Sequence, residues 1–337
     1  MRKVFFLAIL FAGAVLEANA QDPHFSQFFA SPLTLNPAFT GKFEGNLRFS
    51  GNYRNQWPTI NRAFVTTTLS MDAPIMRNHI SATDTWGVGA MAYSDQSANG
   101  ALKVNYITMS TAFHKGLDED GYHQIGAGFQ ATYSNMMLDI TNLKFADQLT
   151  PFGFTGTTTE IFNNSNLKNN YFDLNAGVLY TGSTSDDNNF YLGVSMYHLT
   201  RPEQHFTGTF FLLNPRATIH AGGYFPVGPT STLHLSGLYS SQAKASEAVV
   251  GGALQFLLGA DNNSAKPTSL YLGSWLRMND AVIPYVGLEF GDFRLGATYD
   301  ANVSSLKTAS EARGGMEISL IYIKKSAESR GLPCPKF

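Results

Sequence analysis

The chain is poor in charge, in cysteine and in long apolar runs, and each shortage removes a class of protein. Asp, Glu, Lys and Arg make up 14% of its 337 residues, against roughly 25% in ordinary soluble domains. A surface built from so few charges leaves a large area that does not face water. No stretch beyond residue 20 approaches the roughly 18 to 20 continuous apolar residues of a membrane helix. If lipid covers this chain, it covers strands. The single cysteine, Cys334, rules out an intramolecular disulfide framework. A structural or signature role in the tail is expected of it rather than that of a reactive thiol.

What is present begins with Arg2 and Lys3, the apolar stretch Val4 to Leu16, and the small-x-small run Ala18-Asn19-Ala20. That order reads as a secretory signal peptide cleaved after Ala20. Because no cysteine follows the site, a lipid-anchored lipoprotein is disfavoured. Setting aside Arg2, Lys3 and Glu17 takes the 23 basic and 25 acidic residues to 21 and 24, a net charge of −3. Nothing in that balance gives reason to expect nucleic acid as a partner. The texture is even over the rest of the chain, with no Pro/Ser-rich linker, so one large domain is the simpler reading.

Within that domain the dominant signal is alternation. In Tyr171 to Gly182, "YFDLNAGVLYTG", Phe172, Leu174, Ala176, Val178 and Tyr180 alternate with Asp173, Asn175, Gly177 and Thr181, and Leu179 is the one misfit. A strand places such residues on opposite faces. The same test gives about 14 strands, near 47–54, 63–72, 86–94, 102–113, 124–133, 171–181, 189–198, 216–225, 231–240, 247–258, 269–277, 281–290, 293–300 and 313–323. Their usual length suits the roughly 9 to 11 residues of a tilted membrane strand. Arg48 and Arg54 belong on the lumen face, where charge can be hydrated or paired. An even count puts both barrel ends on the periplasmic side. Odd-numbered connections, about 90 residues in all, are then external, and even-numbered ones, about 47, periplasmic, as in outer-membrane barrels.

Two regions do not read as strands. Residues 21–43 carry three prolines and many apolar rings, and are expected to form an ordered segment at or inside the periplasmic mouth. Residues 134–170, rich in Asn, Thr and Gly, read as the longest external loop. The expected architecture is therefore all-β: a transmembrane antiparallel barrel of about 14 strands over 44–325, with a periplasmic or plug-like N-terminal segment and a C-terminal periplasmic tail over 326–337.

Chemistry is hard to find. The paired glycines of "GVGAMA" and "GAGFQA" fall inside alternating strands and complete no phosphate-binding fingerprint; they read as strand glycines easing curvature. The eight histidines lack metal-ligand spacing. His198, His220 and His234 fall in strands near serines, as in outer-membrane hydrolases, but nothing orders them into nucleophile, base and acid. Asp72, Asp173, Arg277, Glu289, Arg294 and Glu317 are few and of mixed sign, which suits cross-strand pairing better than an ion-selective ring. No catalytic set, cofactor or metal is expected.

The words outside the strands carry more information. The opening "QDPHFSQFFASPLTLNPAFTG", then "YRNQWPTI", "FADQ", "YHLTRPEQHF", "LGSWLRMNDAVIPYVGLEF", "RLGATYDANVSSL" and the final "LPCPKF" resemble, in this order, the PorP/SprF family of outer-membrane proteins of type IX secretion in the Bacteroidota. The resemblance implies a non-enzymatic barrel that works with the secretion machinery or holds a secreted adhesin at the cell surface, including adhesins used in gliding. Implied partners are periplasmic ring components and peptidoglycan-binding lipoproteins. The matching positions are Asn36, Pro37, Ala38, Gly41, Trp57, Pro58, His198, Pro202, Arg277, Asp280, Ala281, Tyr299, Asp300, Cys334 and Pro335. Asn36-Pro37 is expected to form a tight turn, and Arg277 and Asp280 flank a short connection across which they would pair. The alternative is a porin-like channel for small solutes. On the facing assignment, Val178→Arg should be costly and Asn175→Arg better tolerated.

Overall fold

The computed structural model describes residues 22–60, 64–76, 79–161, 166–206, 209–258, 268–325 and 335. The expected leader and its cleavage site, and Cys334, lie outside these residues. Fourteen strands form one closed antiparallel barrel, as the alternation predicts. They are β1 (Leu47–Gln56), β2 (Phe64–Ile75), β3 (Thr85–Ser97), β4 (Leu102–Gly116), β5 (Gln124–Asp139), β6 (Asn166–Gly182), β7 (Asn189–Tyr197), β8 (Arg216–Gly228), β9 (Ser231–Gln242), β10 (Ala245–Leu258), β11 (Thr268–Arg277), β12 (Ala281–Phe290), β13 (Phe293–Asn302) and β14 (Arg313–Lys324). Each pairs with its neighbours in sequence, and β1 closes on β14 in the register Leu47↔Lys324 to Gln56↔Gly315. Closure leaves no edge strand with bare amides, which a lipid-facing sheet requires.

The faces sort as the period demands. On β6, Phe172, Leu174 and Val178 point outward and are exposed, while Asp173 and Asn175 point inward and are buried. Leu69, Ile107, Met109 and Phe129 continue the outward apolar band on neighbouring strands. Leu179 does not break the alternation; it faces the lumen at 0% exposure, within a cluster that includes Phe39 and Tyr191. It is apolar on the polar face because something apolar fills the lumen beside it.

The 37-residue external loop expected over 134–170 is shorter, because β5 and β6 run on to Asp139 and Asn166. Their ladder continues through Asn135↔Asn170, where Asn135 Nδ2 donates to Asn170 Oδ1 at 2.6 Å. That far along, β5 is apolar on both faces at Met136, Met137 and Leu138 and β6 is polar on both at Lys168, Asn169 and Asn170, so the amphipathic period fades although the pairing persists. The remaining connection, 140–165, shares the far rim with 198–215, and each holds a small hairpin: Leu149–Thr150 with Gly153–Phe154, and Glu203–Phe206 with Thr209–Leu212. Here the start rim is the mouth where β1 begins, and the far rim the mouth where it ends.

Residues 22–43 run inside this cylinder. Three short helical turns, Phe28–Ala30, Pro32–Leu35 and Pro37–Phe39, form this lumen thread. Proline at the first position of the second and third turns supplies a helical φ and removes a donor that would have no partner there. The thread begins near the far rim, where the Asp22 N–H donates to Gln242 at the end of β9. It passes mid-barrel at Asn36, whose Nδ2 donates to the carbonyls of Val178 and Val194. At the start rim the Gly41 N–H donates to Asp72 and Lys42 donates to Gln124.

Its backbone lies directly on the wall. A Cβ at Gly128 would stand 2.4 Å from the Ala38 nitrogen, one at Gly87 2.1 Å from the Thr40 oxygen, and one at Gly177 1.9 Å from Asn36 Oδ1. The glycines of "GVGAMA" and "GAGFQA" therefore do more than relieve curvature. Gly87 and Gly128 make the groove in which the thread sits.

Candidate functional site

The polar chemistry of the lumen converges on the thread. At Ser26, the hydroxyl meets both carboxylate oxygens of Asp300 at 2.8 Å and receives hydrogen bonds from the guanidinium groups of Arg54 and Arg277. The backbone N–H groups of Ser26 and Gln27 donate to Glu317 at 2.7 and 3.0 Å. Arg54 bridges Asp300 at 2.9 Å and Glu317 at 3.2 Å, and Arg277 bridges Asp300 at 2.9 Å and Asp280 at 3.1 Å. Two arginines and the buried carboxylates Asp300 and Glu317 thus surround a short piece of the thread, with Asp280 and, at 3.8 Å, Glu247 also on Arg277. Charges this buried persist only when paired and hydrogen-bonded.

A second anchor holds Asp22. His198 lies one residue past β7 in the left-handed region (φ 60°), rather than in the strand as the alternation suggests. The turn aims its ring into the lumen, where Nε2 meets Asp22 and Nδ1 meets Asp173, both at 2.7 Å. The Arg216 guanidinium, 3.5 Å from Asp22, completes the group. Burial alone would lower the pKa of His198, but the two carboxylates outweigh it and hold the imidazole up at about 9. Burial acts on Asp22 in the raising direction and is likewise outweighed, here by His198 and Arg216, so its carboxyl is held well below the usual range. At neutral pH the anchor is an imidazolium between carboxylates.

Two further contacts hold the lower thread. Arg48 pairs with Asp72 at 2.8 Å and donates to the Phe39 carbonyl, while Asp72 receives the Gly41 N–H. Asn36 caps the turn that follows it, with Oδ1 accepting from the Ala38 N–H at 2.8 Å, and its amide meets His220 Nε2 at 2.9 Å.

Most of the described family-motif positions fall into three groups. Asn36, Pro37, Ala38 and Gly41 belong to the thread; His198, Arg277 and Asp300 grip it, with Asp280 behind Arg277 and Ala281 packed in the lumen core. Trp57, Pro58 and Pro202 sit at the far rim: the Trp57 N–H donates to Gly314 O at 2.8 Å, Pro58 is exposed, and the buried Pro202 accepts from the Leu213 N–H at 3.0 Å. Tyr299 points outward at 44% exposure. Pro335, expected in a periplasmic tail, is buried among the side chains of the lumen.

Residue reading alone missed Asp22, Ser26, Arg216 and His220 as parts of these anchors. For the charges on the wall the signal was present, since Arg48 stands opposite Asp72 once β1 and β2 are set in register, and Arg54 opposite Glu317 once the first and last strands close the barrel. His234, the third histidine expected in a strand, pairs with Gln255 at 2.9 Å.

Comparison with known proteins agrees with this architecture. The family model described as type IX secretion system membrane protein PorP/SprF matches residues 17–322. No curated protein matches. Among solved structures, the Pseudomonas putida toluene transporter TodX is 10% identical with a TM-score of 0.50, covering 90% of this chain and 94% of that one. A Pseudomonas aeruginosa FadL homologue is 10% identical with a TM-score of 0.46, covering 85% and 92%. At 10% identity the likeness to TodX is one of fold alone.

Proposed function

Since the chain belongs to the PorP/SprF family of type IX secretion system membrane proteins, we propose that it is an outer-membrane scaffold that holds a secreted adhesin at the cell surface, in cells that use such adhesins for gliding. The observation that carries this reading is the filled lumen. A thread fixed from one mouth to the other by an ion pair at Asp22 and by backbone hydrogen bonds to charged wall carboxylates suits a barrel that displays or anchors, and does not suit one that conducts solutes. In this reading the leader is cleaved after Ala20, the start rim faces the periplasm, and the secretion ring and peptidoglycan-binding lipoproteins meet the barrel there.

The far rim is then external. Its two long connections expose Phe152, Phe154, Ile161 and Phe210, apolar side chains of the kind that mark a protein-docking surface. Trp57, Pro58, His198 and Pro202 border the same rim and belong to the client side. Deletion of the gene should remove the adhesin from the cell surface while small-solute uptake stays unchanged. Large, steady conductance of the purified protein in a planar bilayer would favour the porin-like alternative instead.

A further inference from the structure

The thread leaves part of the lumen to another occupant. In the start-rim half, between the thread and the wall from β7 to β13, lies a chamber lined by rings: Phe29 from the thread, and Tyr224, His234, Tyr271, Trp275 and Tyr285 from the wall. Phe29 stacks on Trp275 at 4.6 Å, and Tyr285 stands edge-on to both, at 5.4 and 5.6 Å. Three of the polar tips on the wall are already engaged. Trp275 Nε1 donates to Ser236, the Tyr271 hydroxyl donates to Glu289 at 2.7 Å, and His234 Nε2 meets Gln255. What the chamber offers an occupant is therefore mainly π faces.

Pro335 is buried against this lining. Proline is the residue whose backbone nitrogen carries no hydrogen, so it enters an aromatic chamber without leaving a donor unsatisfied. Its flat apolar ring packs on aromatic faces, the principle by which aromatic-lined grooves bind proline-rich peptides. The terminal word "LPCPKF", which the anchoring role does not use, supplies such a ligand. β14 ends at Lys324 on the start rim, the half of the barrel in which the chamber lies. We propose that the chamber is a proline-binding site whose ligand is the C-terminal peptide of this same chain, seated through Pro335. The proposal is independent of the secretion reading.

The chain carries its own probe, since its only cysteine precedes Pro335. In detergent-folded protein, maleimide should react with Cys334 at least tenfold more slowly than in the urea-unfolded chain. Pro335→Asp and Trp275→Ala should each remove that protection, with heat-modifiability on gels retained, and Trp275→Phe should keep it. A synthetic acetyl-LPSPKF peptide should bind folded Pro335→Asp protein, whose site is vacated, and not the wild type. As a test that leaves the rings intact, Ser236→Cys in the chamber wall should form a disulfide with Cys334 on mild oxidation, whereas Ser70→Cys on β2 should not. Equal labelling rates in wild type and Pro335→Asp, no peptide binding by the vacated site, or failure of the Ser236→Cys variant to crosslink to Cys334 would each overturn the proposal.

Discussion

At the scale of single residues, the two faces of β6 make opposite demands. Val178 is 50% exposed on the outer face, and Val178→Arg toward mid-membrane should cost about 2 to 4 kcal/mol, read as a lower heat-modifiable fraction on gels. Asn175→Arg is not the tolerated counterpart that an open, wet lumen would make it. Asn175 Oδ1 accepts the His198 N–H at 3.0 Å, its amide meets Thr132, and the side chain is buried at 4% exposure. The larger cation has to displace both contacts, so this variant should also fold poorly. The more revealing pair is Gly177→Ala and Val178→Ala. The first pushes a methyl into Asn36 and should lose about 1 to 3 kcal/mol through overpacking, while the second, facing lipid, should fold nearly as well as the wild type. Side-by-side urea titrations of the folded barrel would compare them. Equal losses would mean that Gly177 does not support the thread.

At the scale of elements, the thread is held by ionisation states, and each has its own pH window. The pKa of His198 rises from 6.5 to about 9 on folding, so its contribution is complete below pH 6.5 and fades as pH rises through 9. The pKa of Asp22 falls from an unfolded value of 3.8, so its contribution is complete above that value and is lost at lower pH. Thermal unfolding followed against pH should therefore show this anchor at full strength between about pH 4 and 6.5, with a decline towards pH 9 that His198→Ala abolishes. At the Ser26 anchor, Glu317→Gln leaves Arg54 facing one carboxylate fewer. Removing one member of a buried ion pair costs about 3 to 5 kcal/mol, and increased protease cleavage near Ser26 would report a loosened thread.

This is also the scale at which the sequence was most and least readable. Strands were legible because one face meets lipid and the other meets polar groups, which imposes a period of two on nearly every strand. Where β5 and β6 lengthen towards the far rim, β5 turns apolar on both faces and β6 polar on both, and the period could not mark where the strands end. The thread was legible as a compact segment through its prolines and rings, but its path was not. The anchors join residues such as Ser26 and Glu317, nearly 300 positions apart, through a circle that closes only when β1 meets β14. Wall pairs such as Arg48 and Asp72 follow from register, whereas Asp22 with His198 does not, because the thread has no ladder to fix its position.

For the whole molecule, the lumen filling makes a prediction about transport. Intact protein in a planar bilayer should show no steady conductance of the size expected for an empty 14-stranded cylinder, and a variant lacking residues 22–40 should show it, provided that the variant assembles. A conducting wild type would mean that water and ions find a path around the thread. The same deletion removes Ser26, Asn36 and their partners' hydrogen bonds, so reduced thermal stability should accompany any gain in conductance.

The course of the thread also fixes where its first described residue can be reached. Asp22 lies among His198, Arg216 and Gln242, all at the ends of strands on the far rim, although β1 itself starts at the opposite mouth. An epitope tag inserted just ahead of Asp22 would therefore surface beside the long hairpin-bearing connections. A label at the end of β14 would emerge on the other side of the bilayer, so antibodies added to intact cells would tell the two apart.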